Sequence, residues 1–185
     1  MRAKIRFHLL GWITLLIFPT PALWALWYFE DISPLSVLSL DELSTPLPLI
    51  GVLVGVLYAF IIIAFGQFSF LEDISKQQER FLKSLNLSWG DALFMSFCAG
   101  FGEELLFRAG MQHWLGIVIT SLVFIALHGY FNPKSWRKSI YGLVILPFIL
   151  LLGFGYEHFG LWFCIAAHFA YDFVLFSQLV DGKKK

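Results

Sequence analysis

Six stretches of this sequence are almost entirely apolar, and each is long enough, or nearly so, to cross a bilayer as a helix. Spanning the hydrocarbon core takes about 20 apolar residues in a helix. The sequence therefore predicts an all-α fold, a polytopic membrane helical bundle of about six transmembrane helices. The stretches are 9–29, 47–71, 91–111, 114–131, 140–156 and 160–180.

The composition agrees with this fold class. The chain is 58% hydrophobic and only 14% charged, whereas soluble domains are about 25% charged. A soluble protein of this length could not bury so much apolar surface. We therefore expect residues 1–185 to form a single transmembrane domain whose surroundings are the lipid bilayer. The net charge of zero and the lack of a basic patch argue against nucleic acid as a partner.

The basic residues indicate an orientation. With the N-terminus in the cytoplasm, all of the 13 Lys and Arg except Arg108 fall in the cytoplasmic segments 1–8, 72–90, 132–139 and 181–185. The opposite loops contain acidic residues but no Lys or Arg. Because Lys and Arg accumulate in cytoplasmic loops, we expect both termini to be cytoplasmic.

Glycines and prolines suggest where the helices end or bend. Gly110 and Gly116 are expected to bracket one tight turn, and Gly155 and Gly160 another. Three prolines lie inside predicted spans and are expected to kink them: Pro19, Pro21 and Pro147. Segment 72–90 is either an amphipathic helix on the inner membrane surface or a solvated connector. As a helix it would turn four apolar side chains to lipid: Ile74, Phe81, Leu82 and Leu85.

A few ionisable residues remain inside the predicted spans. Such groups cost at least a few kcal/mol at depth, so they indicate a functional site. Counted at 1.5 Å per residue from the outer turns at 111–114 and 157–160, four of them lie about 12 to 20 Å below these turns, near mid-membrane. We therefore expect one polar cluster, formed by three helices. The residues are Glu103, Glu104, Arg108, His128, His168 and Asp172.

Helical spacing pairs several of these residues. Glu104 and Arg108 are four residues apart and can form an ion pair, which would lock two helices or support a site. Glu103 points about 100° away from Glu104, so the two carboxylates can have separate roles. Two further pairs share this spacing: Phe124 with His128, and His168 with Asp172. These histidines could instead serve packing or interhelical hydrogen bonding.

The cluster suits hydrolysis by an activated water. A carboxylate beside an imidazole can hold and deprotonate a water molecule. A second imidazole with a polar neighbour can donate to a developing oxyanion. The sequence contains no nucleophile motif. The serines and cysteines of the third, fourth and sixth predicted spans lack a matching turn or a clear base, or lie in apolar runs: Ser96, Ser121, Ser177, Cys98 and Cys164.

The three motifs EExxxR at 103–108, FxxxH at 124–128 and HxxxD at 168–172 resemble, in order and spacing, the CPBP family of intramembrane endopeptidases. This is the CAAX prenyl protease, Abi and bacteriocin-processing group, and the resemblance covers the motif-bearing core, 90–180. It implies a membrane-embedded glutamic-type endopeptidase with no metal or other cofactor. It also implies proteolysis of a membrane-associated peptide or protein in a plasma membrane, in keeping with a compact bacterial enzyme.

The resemblance assigns roles by motif position. Glu103 would activate water, His128 would bind that water, and His168 with Asp172 would stabilise the oxyanion. Glu104 and Arg108 would support the helix geometry and charge balance, with Phe124 as the wall beside the imidazole. Prenyl-processing members carry Asn at the position of Asp172. Because an ionised Asp cannot donate, Asp172 is either protonated by burial or accepts from His168 and orients its ring, and we expect the second.

The sequence leaves other functions open. Glu103, His128 and His168 could instead hold zinc as a His2Glu site, making a zinc-dependent intramembrane peptidase. Intramembrane acids and histidines also serve proton-coupled transporters, although no repeat is visible. A non-catalytic immunity or partner-binding role is a third possibility. The substrate of a protease could be a sorting segment, a leader or a CAAX-like peptide.

Overall fold

The structure is a computed structural model that describes residues 2–68, 76, 79–80, 82–133 and 135–181. Every regular element in these ranges is helical, which confirms the all-α fold class. Five of the described segments are long and apolar enough to cross a membrane. The α-helices are α1 Arg2–Leu16, α2 Pro19–Glu30, α3 Pro34–Leu38, α4 Leu47–Gly66, α5 Trp89–Glu104, α6 Gln112–Leu127, α7 Trp136–Phe159 and α8 Leu161–Asp181; a 3-10 helix covers Leu40–Ser44 and a π-helix Leu105–Met111.

The first apolar segment consists of two helices, α1 and α2. Pro19 and Pro21 lie in the first turn of α2, where a missing N–H costs nothing and the fixed φ suits the helix. These prolines therefore start a new helix, whereas Pro147 lies inside α7. Together α1 and α2 form one candidate span, Ala3–Glu30.

The predicted third and fourth spans form one helical segment, Trp89–Leu127, and this is why five candidates are found where six were expected. The segment reverses at Gly116, whose φ of 71° and ψ of 173° are non-helical. The ring centroids of Phe107 and Phe124 lie 4.8 Å apart, although a straight helix would separate these residues by about 25 Å. The segment is thus a hairpin, and α6 packs back against the π-helix.

The turns use one glycine each rather than the two expected. Gly116 and Gly160 have φ of 71° and 85°, a left-handed backbone that glycine adopts without a steric penalty. Gly110 and Gly155 lie inside helices, so the prediction that they bracket the turns is wrong. A Cβ on Gly110 would lie 2.3 Å from the Cβ of Ala22. Such a glycine serves close helix packing, here of the π-helix against α2.

Helix α8 is the centre of the bundle. It packs most extensively against α4 and also against α5. Gly51 and Gly55 allow α4 to approach, since a Cβ on either would lie 2.3 or 2.0 Å from a carbonyl oxygen of α8. Small residues at helix crossings are typical of membrane bundles. On its other side α4 exposes Leu53 and Leu57, as expected for a helix that faces lipid.

The described residues 76, 79–80 and 82–84 of the connector before α5 are helical, but its last part does not face lipid as the sequence allows. Leu85 is 4% exposed and Leu87 2% exposed, so the segment inserts these side chains into the bundle rather than into lipid. Ile74 and Phe81 lie outside the residues that the structure describes. The cytoplasmic placement of both termini stays a prediction.

Candidate active site

The helix that carries the two adjacent glutamates is fixed at its start by a capping box. The Ser88 hydroxyl accepts a hydrogen bond from the backbone N–H of Asp91, whose carboxylate accepts from the backbone N–H of Ser88. The same carboxylate lies 2.5 Å from Lys4 Nζ and 2.7 Å from His8 Nε2. The capping box pairs backbone N–H groups at the start of α5 that have no partner within the helix. The contacts of Asp91 with Lys4 and His8 attach α1 to α5. Asp91 is not among the predicted site residues, although Ser-x-x-Asp is a capping signal in the sequence.

The π-helix begins directly after the glutamate pair. Its i→i+5 hydrogen bonds widen the turn, and such segments occur frequently at functional sites. It carries Arg108, which is fully buried and donates from Nε to Glu104 Oε2 at 2.9 Å. Both side chains have no exposed surface. The predicted ion pair is therefore present, and it is completely desolvated.

Glu104 has a second partner that the sequence analysis missed. His168 Nδ1 donates to Glu104 Oε1 at 2.7 Å, across from α8 to α5. One buried carboxylate thus accepts from Arg108 and from His168, and it links three elements. The two residues are 64 positions apart in the chain, a separation that carries no spacing signal, so only the folded structure reveals this bond.

Glu103 faces a different histidine. Its Oε2 lies 3.5 Å from His128 Nε2, and the side chains of Glu103 and His128 are 12% and 35% exposed. His128 Nδ1 lies 2.9 Å from the carbonyl oxygen of Phe124. A carbonyl only accepts, so Nδ1 carries the hydrogen. In the neutral ring, Nε2 and the Glu103 carboxylate are then two acceptors that face each other.

Phe124 lies between the two imidazoles. Its ring stacks on His128 with centroids 4.2 Å apart and meets His168 edge-on at 6.1 Å. The guanidinium carbon of Arg108 lies 5.7 Å from the same ring. The phenyl ring therefore fixes the plane of His128, as its spacing predicted.

Asp172 does not orient His168. Its Oδ2 lies 3.8 Å from His168 Nε2, which is too long for a hydrogen bond. Because Glu104 holds the other ring nitrogen, the expectation that Asp172 sets the ring orientation is wrong. Asp172 instead faces a cavity of about 270 Å³, next to Tyr130 and Tyr171.

The predicted residues thus come together as one cluster. Phe124 contacts the histidines of both carboxylate–histidine pairs, Glu103–His128 and Glu104–His168, and Glu104 also pairs with Arg108. Among the described residues, no group of three His, Cys, Asp or Glu side chains has the arrangement of a metal site.

A family of known proteins matches this part of the chain. Residues 85–174 match the Rce1-like family, described as type II CAAX prenyl endopeptidase Rce1-like. This match confirms the resemblance over that segment, which includes all of the cluster. The family is one of proteases, so it supports hydrolytic chemistry at this site.

One curated relative has a similar sequence over about the same length. It is the uncharacterized protein YpbD of Bacillus subtilis (strain 168), 35% identical over 88 residues. The alignment spans 47% of this chain and 44% of the Bacillus protein, so the chain matches less than half of that relative's length. No solved structure matches the chain.

Proposed function

We propose that this protein is a glutamic-type intramembrane endopeptidase that cleaves membrane-associated peptides or proteins with a water activated by Glu103. The observation that carries the proposal is the pair of facing acceptors, Glu103 Oε2 and His128 Nε2, 3.5 Å apart. A water molecule has two O–H groups and can donate one to each. The match of residues 85–174 to a protease family supports hydrolysis of peptide bonds.

Glu103 is the better base of the two adjacent glutamates. Its Oε2 is buried and has no hydrogen-bond donor among the described residues. Glu104, in contrast, already accepts from Arg108 and His168. A base must have a free lone pair within reach of the proton that it removes.

The reaction begins when the water attacks the scissile carbonyl carbon. One water proton moves to Glu103, and the oxygen forms the new C–O bond as the carbonyl π electrons move to oxygen. His128 holds the water by Nε2, while the Phe124 carbonyl keeps the hydrogen on Nδ1. Positioning of this kind makes the attack effectively unimolecular, which lowers the entropic part of the activation barrier.

In this proposal, His168 stabilises the oxyanion. In its protonated form it donates Nδ1–H to Glu104, and Nε2–H remains for the substrate oxygen. Asp172, 3.8 Å from Nε2, provides a second negative charge beside the imidazolium. When the tetrahedral intermediate collapses, the C–N bond breaks and Glu103 returns its proton to the leaving amine.

The ion pair of Glu104 and Arg108 then has a supporting role. It fixes the acceptor that holds His168, and Arg108 offsets one of the three carboxylates in the cluster. Truncating one partner would leave an uncompensated buried charge. The substrate, whether a sorting segment, a leader or a CAAX-like peptide, and a bacterial plasma membrane as the location are part of the proposal.

The proposal is tested by mass spectrometry of peptide termini in host membranes, comparing wild type with Glu103→Gln at equal expression. The substitution keeps the shape of the side chain and removes the base. Glu30→Gln is the matched control, because Glu30 is the last residue of α2 and pairs with His113, outside the cluster. Specific termini should appear with wild type and with Glu30→Gln, and disappear with Glu103→Gln.

Identical termini in all three strains would refute proteolysis by Glu103. If Glu103→Gln also rescued the phenotype of a deletion strain, the partner-binding function would replace the enzymatic one.

A further inference from the structure

The cavity beside Asp172 is a distinct feature of the fold. It has a volume of about 270 Å³ and lies between the ends of α7 and α8 and the connector before α5. Three tyrosine rings form much of its wall: Tyr130, Tyr141 and Tyr171. Asp172 is the one charged residue among its described lining residues, and it belongs to the catalytic cluster.

The cavity touches the catalytic cluster at two points. Asp172 approaches His168 to 3.8 Å, and the Tyr130 ring lies parallel to that of His128 with centroids 6.4 Å apart. A peptide whose scissile bond lies between the two histidines would therefore place a neighbouring side chain in this cavity. The rest of its lining is apolar, with Leu82 and Leu175 among the side chains.

The walls are held by ring packing rather than by loose side chains. Tyr130 and Tyr141 lie 5.6 Å apart, and Tyr171 packs on Phe148 at 4.7 Å. Tyr141 and Tyr171 are each 7% exposed. A preformed apolar cavity with few polar groups is the usual form of a specificity pocket.

A second cavity of about 450 Å³ adjoins the first. The two share four lining residues: Leu82, Tyr141, Leu175 and Leu179. The larger one is also lined by the polar and charged residues Gln67, Lys76, Glu79 and Gln178. Together they give an extended peptide a continuous path from the catalytic cluster to the end of the bundle.

We propose that the tyrosine-walled cavity is a specificity pocket for one bulky apolar side chain of the substrate near the scissile bond, and that Leu82 sets its size. This inference rests on the proposed function. Leu82 is half-buried and comes from the connector between α4 and α5, not from a helix of the cluster. The connector, anchored by buried Leu85 and Leu87, would thus determine which peptides are cleaved.

The test measures cleavage of a peptide library by the full-length protein in detergent micelles, with cleavage sites read by mass spectrometry. Wild type should require a bulky apolar residue at one fixed position from the cleaved bond. The kcat/KM for a peptide with a bulky apolar residue at this position should exceed that for the Ala peptide at least about tenfold. One methylene group in an apolar pocket already changes kcat/KM by about 10- to 200-fold.

Two variants at one position then decide the role of the cavity. Leu82→Trp fills it and should lower kcat/KM for bulky peptides about tenfold or more, while Ala peptides change little. Leu82→Ala enlarges it and should move the preference to larger side chains. The control is Leu23→Trp, which fills a separate cavity of about 340 Å³ near Trp24 and Trp27 and should leave the preference unchanged.

The outcomes separate the two proposals. If wild type cleaves, Glu103→Gln does not, and both Leu82 variants keep the wild-type preference, the specificity pocket is refuted and the protease stands. If wild type cleaves no peptide, or Glu103→Gln cleaves equally, the proposed function fails and the pocket fails with it. Should Leu82→Trp not fold, Leu82→Ala alone decides.

Discussion

The two adjacent glutamates should respond in opposite ways to the same substitution. Glu104→Gln removes a carboxylate that is fully buried and accepts from Arg108 Nε at 2.9 Å and from His168 Nδ1 at 2.7 Å. The amide oxygen of Gln can accept one of these bonds, and its NH2 group can accept neither. One donor therefore loses its partner, and the buried guanidinium loses its counter-charge.

The magnitude follows from these contacts. A hydrogen bond to a charged group contributes about 1.5 to 3 kcal/mol, and breaking a buried ion pair costs about 3 to 5 kcal/mol. Because the two effects overlap at one carboxylate, we expect Glu104→Gln to destabilise the protein by about 3 to 5 kcal/mol. Glu103→Gln removes no hydrogen bond to a described donor, so we expect a loss below about 1 kcal/mol.

The assay is unfolding of the purified protein in mixed micelles, titrated with a denaturing detergent and followed by tryptophan fluorescence. Activity is measured on the same samples. Glu103→Gln should be stable and inactive, whereas Glu104→Gln should be unstable. Equal stability of the two variants would refute the division of roles between base and support.

Three further predictions concern the turns, the imidazole of His128 and the effect of a chelator. Gly116→Ala should cost about 1 to 3 kcal/mol in thermal unfolding, because its φ of 71° and ψ of 173° are adopted almost only by glycine, although no atom obstructs a Cβ. Gly160→Ala should cost more, since its Cβ would also lie 2.2 Å from the Glu42 carboxylate; equal costs would contradict this. Phe124→Leu removes the stack on His128 and should lower kcat about 2- to 10-fold, measured by peptide cleavage beside a folded-state control. Incubation with a chelator should leave the cleavage rate within about twofold, and abolition of activity would instead favour the zinc peptidase.

Local spacing was sufficient to predict several contacts in the site. The pairs Glu104–Arg108 and Phe124–His128 lie four residues apart, and the helix period alone brings such side chains together. Distance along each span also predicted that Glu103 would lie near His128, since both fall at similar depth. These predictions worked because an ionisable residue in a membrane must find a partner at its own depth.

Contacts between distant segments could not be predicted in the same way. The choice of Glu104 as the partner of His168 depends on the rotation of α8 relative to α5, which no local pattern fixes. The same rotation leaves Asp172 3.8 Å from the ring that it was expected to hold. The π-helix at Leu105–Met111, which carries the buried Arg108, was not predicted from the sequence either.

The remaining differences between the predicted and the observed structure concern the glycines and the connector before α5. Glycine is common both at turns and at close helix crossings, so the sequence could not distinguish Gly116 from Gly110. The apolar pattern of the connector also allowed a helix with Leu85 facing lipid, but Leu85 is buried in the bundle. In each case tertiary packing, not local preference, decided the outcome.

Activation of water by Glu103 beside His128 is the step on which the proposed chemistry depends. Its most direct test is cleavage of an identified substrate by purified protein in proteoliposomes, with wild type, Glu103→Gln and Glu30→Gln compared at equal amounts of folded protein. We predict that Glu103→Gln lowers kcat about 10²- to 10⁴-fold, while Glu30→Gln keeps the wild-type rate. A Glu103→Gln variant that cleaves at the wild-type rate would contradict the account.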